Sequence, residues 1–183
     1  MSETKNIMDY DTVALDEGKK AVVIIDQTLL PGQTKLIELK TAQEIWDAIY
    51  LLKVRGAPAI GVAAAMGIYV LSLEIDTEDF GDFYTEFCRY KDYLDSARPT
   101  AVNLSWALRR MERVALKAGR DEKRSVEEVK EILHQEALRI RDEDIEVCRK
   151  IGEYGLDLVK PGDGILTHCN AGQLATVKYG TAT

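Results

Sequence analysis

The first fifty residues alternate between short apolar runs and polar breaks. Residues 21–25, AVVII, are β-branched and apolar, while residues 35–39, KLIEL, alternate between apolar and polar positions. Pro31 and Gly32 lie between the two runs and are typical of a turn, so we predict a small β-hairpin. Thr41 then precedes a glutamate by three residues, which is the pattern of a capping box and predicts a helix that ends before the next glycine.

Three further helices are predicted between residues 56 and 119. The uncharged run at 56–73, GAPAIGVAAAMGIYVLSL, is apolar on every helical face, so we expect a central, buried helix starting at Pro58. It consists largely of glycine and alanine and has no aromatic residues on both flanks, which favours a packed core over a membrane span. Apolar residues return at helical spacing over 80–94, and again after Pro99 in a helix expected to stop at Gly119.

The longest helical pattern covers residues 125–159. Ser125 and Glu128 form a second capping box at its start, and the heavy charge along it is typical of a solvated face. Because the pattern exceeds thirty residues, we expect a break or bend near Gly152 or Gly155.

The pattern changes after residue 160. Residues 165–169, ILTHC, read as a short buried strand, and a glycine-containing turn leads to a helix from about Ala171, which is how a βαβ unit begins. The predicted fold is therefore α+β. A mainly helical N-terminal domain with a small β element covers 1–160, and the first strand and helix of a truncated Rossmann-like α/β domain cover 161–183.

Composition narrows the function classes. The chain of 183 residues carries a net charge of −7 and shows no basic stripe, so we expect no nucleic-acid partner. Three cysteines without regular spacing and two histidines suggest neither a disulfide framework nor a metal site. The N-terminus lacks the basic and apolar regions of a signal peptide, and we expect a cytoplasmic protein without membrane attachment.

Two helix starts carry an arginine just outside them. Arg55 precedes Gly56 and Pro58, and Arg98 precedes Pro99 at the next predicted start. Free backbone N–H groups and the positive end of a helix form an anion site, and a guanidinium can bind a phosphate through two hydrogen bonds. The alternative is that each arginine pairs with a carboxylate and is structural.

Cys169 lies at the end of the predicted strand and just before the predicted helix. This is where α/β sheets present ligands and where a helix dipole lowers the pKa of a thiol, so a working thiol is favoured over a packing residue. Cys88 and Cys148 have apolar helical neighbours and are expected to be packing residues. His168 would face the other side of the strand in a structural role, and His134 is expected at the surface or in an interface.

Four stretches resemble the methylthioribose-1-phosphate isomerase family, which belongs to a larger group with the regulatory subunits of translation initiation factor 2B. They are DQTLLP at 26–31, VRGAPAIGVAAAMG at 54–67, RPTAVNLSWAL at 98–108 and THCNAGQLATVKYGTA at 167–182. The resemblance implies an aldose–ketose isomerase of methionine salvage that needs no cofactor. It also implies that Arg55, Gly56, Ala57 and Arg98 bind the sugar phosphate and that Cys169 is catalytic.

The resemblance also exposes a deficit. The catalytic aspartate of the family lies well beyond the cysteine motif, and Asp163 precedes the predicted strand and is in the wrong place for that role. We therefore expect this chain to be a fragment that is inactive by itself, and the full-length protein to be a homodimer.

Other functions stay open at this point. A relative acting on 5-deoxyribose 1-phosphate would look nearly the same, and a ribose-1,5-bisphosphate isomerase would need further basic residues. A non-catalytic regulatory subunit like those of initiation factor 2B is the alternative of a different class. Arg55, Arg98 and the run His168-Cys169-Asn170 are all present and argue against it, because a scaffold needs no such site.

Overall fold

The computed structural model describes residues 7–182. A small sheet packs on a bundle of five helices, and its three antiparallel strands follow the order β1, β2, β3. Their bounds are Val13–Asp16, Ala21–Ile25 and Leu36–Leu39. The hairpin predicted from AVVII and KLIEL is confirmed as β2 and β3, with Ile24 opposite Ile37. Strand β1 was not predicted, although Val13 and Leu15 alternate along it.

The helices occupy the positions that the apolar spacing indicates. They are α1 at Ala42–Tyr50, α2 at Ala57–Ser72, α3 at Phe80–Asp95, α4 at Val102–Leu116 and α5 at Val126–Leu156. Short 3₁₀ turns lie at Ile7–Asp9, Gln27–Leu29 and Gln173–Ala175, and a π turn at Lys117–Asp121 extends α4. Among residues 7–182, no helix is long and apolar enough to cross a membrane.

Both predicted capping boxes form. At the start of α1, the Glu44 N–H donates to Thr41 Oγ1 over 3.2 Å, and the Thr41 N–H donates to Glu44 Oε2 over 3.0 Å. Ser125 and Glu128 exchange the same pair of hydrogen bonds at the start of α5. Each box satisfies two N–H groups that would otherwise lack a partner, which explains why these helix starts were predictable.

Helix α2 is the centre of the core. Nearly all of its residues are buried, and it contacts the sheet and all four other helices. Its glycines allow close approach: a Cβ on Gly61 would lie 3.1 Å from the Asn103 carbonyl oxygen of α4, and one on Gly67 would lie 2.9 Å from Ile45 of α1. The absence of a polar face therefore reflects burial on every side.

Two predictions about helix ends are wrong. Gly119 does not end α4 as a C′ residue but lies inside the π turn, where the ring of Phe80 occupies the space that a side chain would need. The long helix α5 is continuous from Val126 to Leu156, so the break predicted near Gly152 or Gly155 does not occur, and nothing lies within 4 Å of the position of a Cβ at either glycine.

The strand and helix predicted after residue 160 do not form in this structure. Residues 161–170 are all exposed, Leu166 to 98%, and only the 3₁₀ turn Gln173–Ala175 follows. A buried strand needs a neighbouring strand, and within residues 7–182 the three strands pair only with one another. The truncated Rossmann-like element is thus absent from the described fold, and the domain division at residue 160 stays a prediction.

Candidate functional site

The start of helix α2 is open in the way an anion site requires. Gly56 is the N-cap residue, no side chain caps the helix, and Arg55 and Ala57 on either side are exposed. Within residues 7–182, the Arg55 guanidinium has no hydrogen-bond or ion-pair partner, so the alternative of a structural ion pair finds no support. The first turn of α2 therefore leaves N–H groups without a capping side chain, and the residue just before its N-cap is an arginine.

At Gly56 this helix start packs against the stretch 167–182, the motif that contains Cys169. A Cβ on Gly56 would lie 2.0 Å from the Ala175 carbonyl oxygen and 2.1 Å from the Ala175 Cα, closer than any side chain could approach. Glycine is therefore needed here for close backbone contact. The structure thus joins two stretches that are 119 residues apart in the sequence, as counted from positions 56 and 175.

Gln27 bridges the same two stretches. Its backbone N–H donates to the Lys53 carbonyl over 3.0 Å, and its side-chain Nε2 donates to the Leu174 carbonyl over 2.8 Å. The side chain is almost completely buried, and within residues 7–182 its Oε1 has no hydrogen-bond partner. Sequence reasoning missed this residue, although it lies in the DQTLLP motif.

Asp144 of α5 binds the C-terminal end of the segment Gln173–Val177. The Val177 N–H donates to Asp144 Oδ2 over 2.7 Å, and the Val177 carbonyl accepts from the Thr12 N–H over 3.0 Å. Burial raises the pKa of Asp144, and the hydrogen bond from Val177 opposes that shift. Sequence reasoning took the charge of α5 for a solvated face, and nothing local sets Asp144 apart from the other carboxylates of this helix.

Arg98 lies farther from its helix than predicted. Helix α4 begins at Val102 with Ala101 as its uncapped N-cap, so Arg98 stands three residues before the cap instead of beside the first turn. The reason is a turn in which the Ala101 N–H donates to the Arg98 carbonyl over 2.9 Å. Arg98 is half-buried, and within residues 7–182 its guanidinium has no hydrogen-bond or ion-pair partner.

Cys169 does not occupy the environment that was predicted for it. It is exposed in an extended loop and has a φ of +64°, with no strand before it and no α-helix after it. Within residues 7–182 no α-helix begins beside the thiol, so the predicted activation by a helix dipole is wrong for this structure. Neighbouring His168 is exposed as well, so no opposite face of a strand exists for it.

The other cysteines and His134 are better covered. Cys148 is buried and Cys88 is half-buried, and burial raises the pKa of both thiols, as expected for packing residues. His134 has a side chain only 13% exposed and stacks on Tyr69 with ring centres 4.9 Å apart, so it does not lie on the open surface, and the alternative of an interface stays a prediction. In the described part of the chain, no group of His, Cys, Asp and Glu is arranged to hold a metal ion.

Comparison with solved structures identifies the class of fold. The structure is similar to that of 5-methylthioribose 1-phosphate isomerase from Pyrococcus horikoshii OT3, with a TM-score of 0.85 and 39% identity, covering 93% of this chain and 46% of that one. It is also similar to the translation initiation factor eIF-2B delta subunit from A. fulgidus, with a TM-score of 0.81 and 42% identity, covering 93% of this chain and 48% of that one.

Sequence comparison then gives the family. Residues 53–180 match the Initiation factor 2 subunit family, IF-2B, and the chain belongs to it. It is 57% identical over 172 residues to the methylthioribose-1-phosphate isomerase of Symbiobacterium thermophilum, covering 94% of this chain and 47% of that protein. It is 51% identical over 168 residues to the 5-deoxyribose 1-phosphate isomerase of Clostridium botulinum strain Loch Maree, covering 92% of this chain and 47% of that protein. The chain spans about half the length of the curated relatives it matches.

Proposed function

We propose that this chain serves an aldose–ketose isomerase that converts 5-methylthioribose 1-phosphate to 5-methylthioribulose 1-phosphate in methionine salvage. The observation that carries the proposal is the open start of α2. It combines uncapped N–H groups, an Arg55 without a partner among residues 7–182, and close backbone contact with the segment that follows Cys169. In a chain with a net charge of −7, such a start is a local site for an anion.

The substrate phosphate would bind at Arg55, Gly56 and Ala57, with Arg98 as a second cation. Two N–H groups and a guanidinium can hold three phosphate oxygens, and two arginines offset the dianion charge. Phosphate binding at one end of the sugar leaves the C1–C2 bond to face the segment that carries Cys169.

The chemistry requires ring opening before the isomerisation. An acid must protonate the ring oxygen, because the phosphate on the anomeric oxygen prevents the opening that a free aldose undergoes. Hydrogen then moves from C2 to C1 while the 2-hydroxyl loses its proton, which leaves a ketone at C2. Cys169 can act as the base in a proton-transfer route or stabilise charge in a direct hydride shift. The ring-opening acid is expected from sequence that this chain does not include.

The remaining expectations belong to the same proposal. In the whole protein we expect 165–169 to pair as the first strand of a Rossmann-like domain, which would enclose Cys169. We also expect a cytoplasmic homodimer that needs no cofactor and contacts neither nucleic acid nor membrane.

A chimera tests the proposal. Residues 1–183 replace the matching segment of the Symbiobacterium thermophilum relative, and proton NMR follows turnover of 5-methylthioribose 1-phosphate. Arg55→Met should raise KM about 10–100-fold, because a charged hydrogen bond contributes about 1.5–3 kcal/mol and each 1.4 kcal/mol is a factor of ten. Arg109→Met, at an exposed arginine on α4, is the matched control and should change nothing.

The alternatives give different results in the same assay. The likeness to the Clostridium botulinum relative makes 5-deoxyribose 1-phosphate the second candidate substrate, so the two sugar phosphates are compared by kcat/KM. The likeness to the A. fulgidus structure supports a regulatory subunit, which predicts a folded chimera without turnover of either sugar. That last result would overturn the isomerase proposal.

A further inference from the structure

Gln27 is buried at a cost to the fold. It is 2% exposed, and within residues 7–182 its Oε1 has no hydrogen-bond partner. A buried acceptor without a donor destabilises a protein, and an apolar side chain of the same size would avoid this penalty. The unpartnered Oε1 thus offsets what the other end of the amide can contribute to stability, and residues that break packing rules in this way concentrate at functional sites.

Gln27 forms two hydrogen bonds that link distant parts of the chain. Its Nε2 donates to the Leu174 carbonyl over 2.8 Å, while the backbone N–H of the same residue donates to the Lys53 carbonyl over 3.0 Å. Leu174 lies five residues after Cys169, and Lys53 lies two residues before Arg55. One residue thus connects the loop of the candidate thiol to the helix start of the candidate phosphate site.

The residues on either side of Gln27 fix its backbone. The Asp26 carboxylate accepts from the Thr28 N–H over 3.1 Å and from the Thr28 hydroxyl over 2.6 Å, which fixes the 3₁₀ turn at the end of β2. The Asp26 N–H also donates to the Lys35 carbonyl over 2.9 Å, which ties this turn to the start of β3. The side chain therefore projects from a rigid part of the sheet and can act as a spacer between the two stretches.

We propose that Gln27 is a positioning residue that sets the distance between the Cys169 loop and the phosphate site at Arg55, Gly56 and Ala57. This inference rests on the proposed isomerase function. Its action is on the chemical step: the phosphate still binds when the loop moves, but the reacting carbons no longer meet the thiol. A misplacement of about 1 Å can lower the rate by about a hundredfold.

The test uses Gln27→Met in the chimera described above. Methionine has the same length, removes the donor to Leu174, and also removes the unpartnered buried oxygen, so the variant should fold. We expect kcat to fall about 10–100-fold, in line with lost positioning, while KM stays within about threefold. Gln33→Met, at an exposed glutamine of the β2–β3 connection, is the matched control and should retain the parent kcat.

Thermal unfolding followed by circular dichroism accompanies each kinetic measurement. A wild-type kcat in Gln27→Met overturns the inference and leaves the isomerase proposal standing. A loss of kcat that disappears once rates are normalised to the folded fraction overturns it too. So does a fall in kcat/KM that comes entirely from a raised KM. An inactive but folded parent chimera is the separate result that removes the proposed function, and this inference with it.

Discussion

The contact between Gly56 and Ala175 makes a sharp prediction for Gly56→Ala. The backbone of Gly56 has φ −102° and ψ 143°, a conformation that alanine adopts freely, so no backbone strain arises. The whole effect must come from the added methyl group, which would lie 2.0 Å from the Ala175 carbonyl oxygen. Since ordinary contacts begin near 3.4 Å, the two stretches must separate by about 1.4 Å.

The magnitude follows from what that separation disrupts. Overpacking a well-packed site costs about 1–3 kcal/mol, and the upper end applies because the atoms in the way belong to the backbone and cannot rotate aside. The hydrogen bond from Gln27 to the Leu174 carbonyl contributes about 1 kcal/mol and would be strained as well. We expect Gly56→Ala to lower the free energy of unfolding by about 2–4 kcal/mol.

Urea unfolding followed by circular dichroism measures this on the 183-residue chain. Gly152→Ala is the matched control, because nothing lies within 4 Å of the position of its Cβ in helix α5. Alanine at that position should stabilise the chain by about 0.5–1 kcal/mol, since glycine in a helix interior is unfavourable. If Gly56→Ala unfolds at the urea concentration of the parent chain, the close contact between the two motifs is wrong.

Three further predictions concern single residues. Burial raises the pKa of Asp144, so the folded chain favours the neutral carboxyl more than the unfolded chain does. Relative to Asp144→Asn, the parent chain should therefore gain stability as the pH falls from 7 through that raised pKa. Paired unfolding curves at several pH values would show no such trend if the carboxyl were solvated. Ser125→Ala removes the capping box of α5 and should lower the free energy of unfolding by about 1 kcal/mol in urea, whereas an unchanged midpoint would mean that the box contributes nothing. A thiol reagent should modify exposed Cys169 first, Cys88 more slowly and buried Cys148 only on unfolding, so a fast phase that survives in Cys169→Ser would contradict the described exposure.

Local signals explain what could be predicted from the sequence. The capping boxes at Thr41 and Ser125 need residues only three positions apart, and the uniformly apolar run of α2 marks burial without reference to any partner. The open start at Arg55 and Gly56 was likewise visible, because an arginine, a glycine and an early proline are all within one turn.

Distant partners explain what could not be predicted. Gly119 looks like a helix cap until the ring of Phe80, which is 39 positions away, is seen to fill the space beside it. The hydrogen bond between Gln27 and Leu174 joins residues 147 positions apart. Neither pairing has a local pattern, since sequence spacing carries no information about which elements meet in the fold.

The prediction of a strand before Cys169 was wrong for a related reason. The apolar run before it predicted a buried strand, but a strand depends on hydrogen bonds from a neighbour, and within residues 7–182 no neighbouring strand lies beside it. An apolar pattern alone therefore indicates a tendency to form a strand, and its surroundings decide whether the strand forms. The same argument applies to the thiol, whose environment depends on elements outside its own stretch.

Amide chemical shifts report whether the start of α2 and the segment after Cys169 form one sugar-phosphate site. The ¹⁵N-labelled chain is titrated with 5-methylthioribose 1-phosphate and, separately, with inorganic phosphate. We expect both ligands to shift the amides of Gly56 and Ala57, and only the sugar phosphate to shift amides within Gln173–Val177 as well. Shifts at the capped start of α5, or none at Gly56 and Ala57, would contradict it.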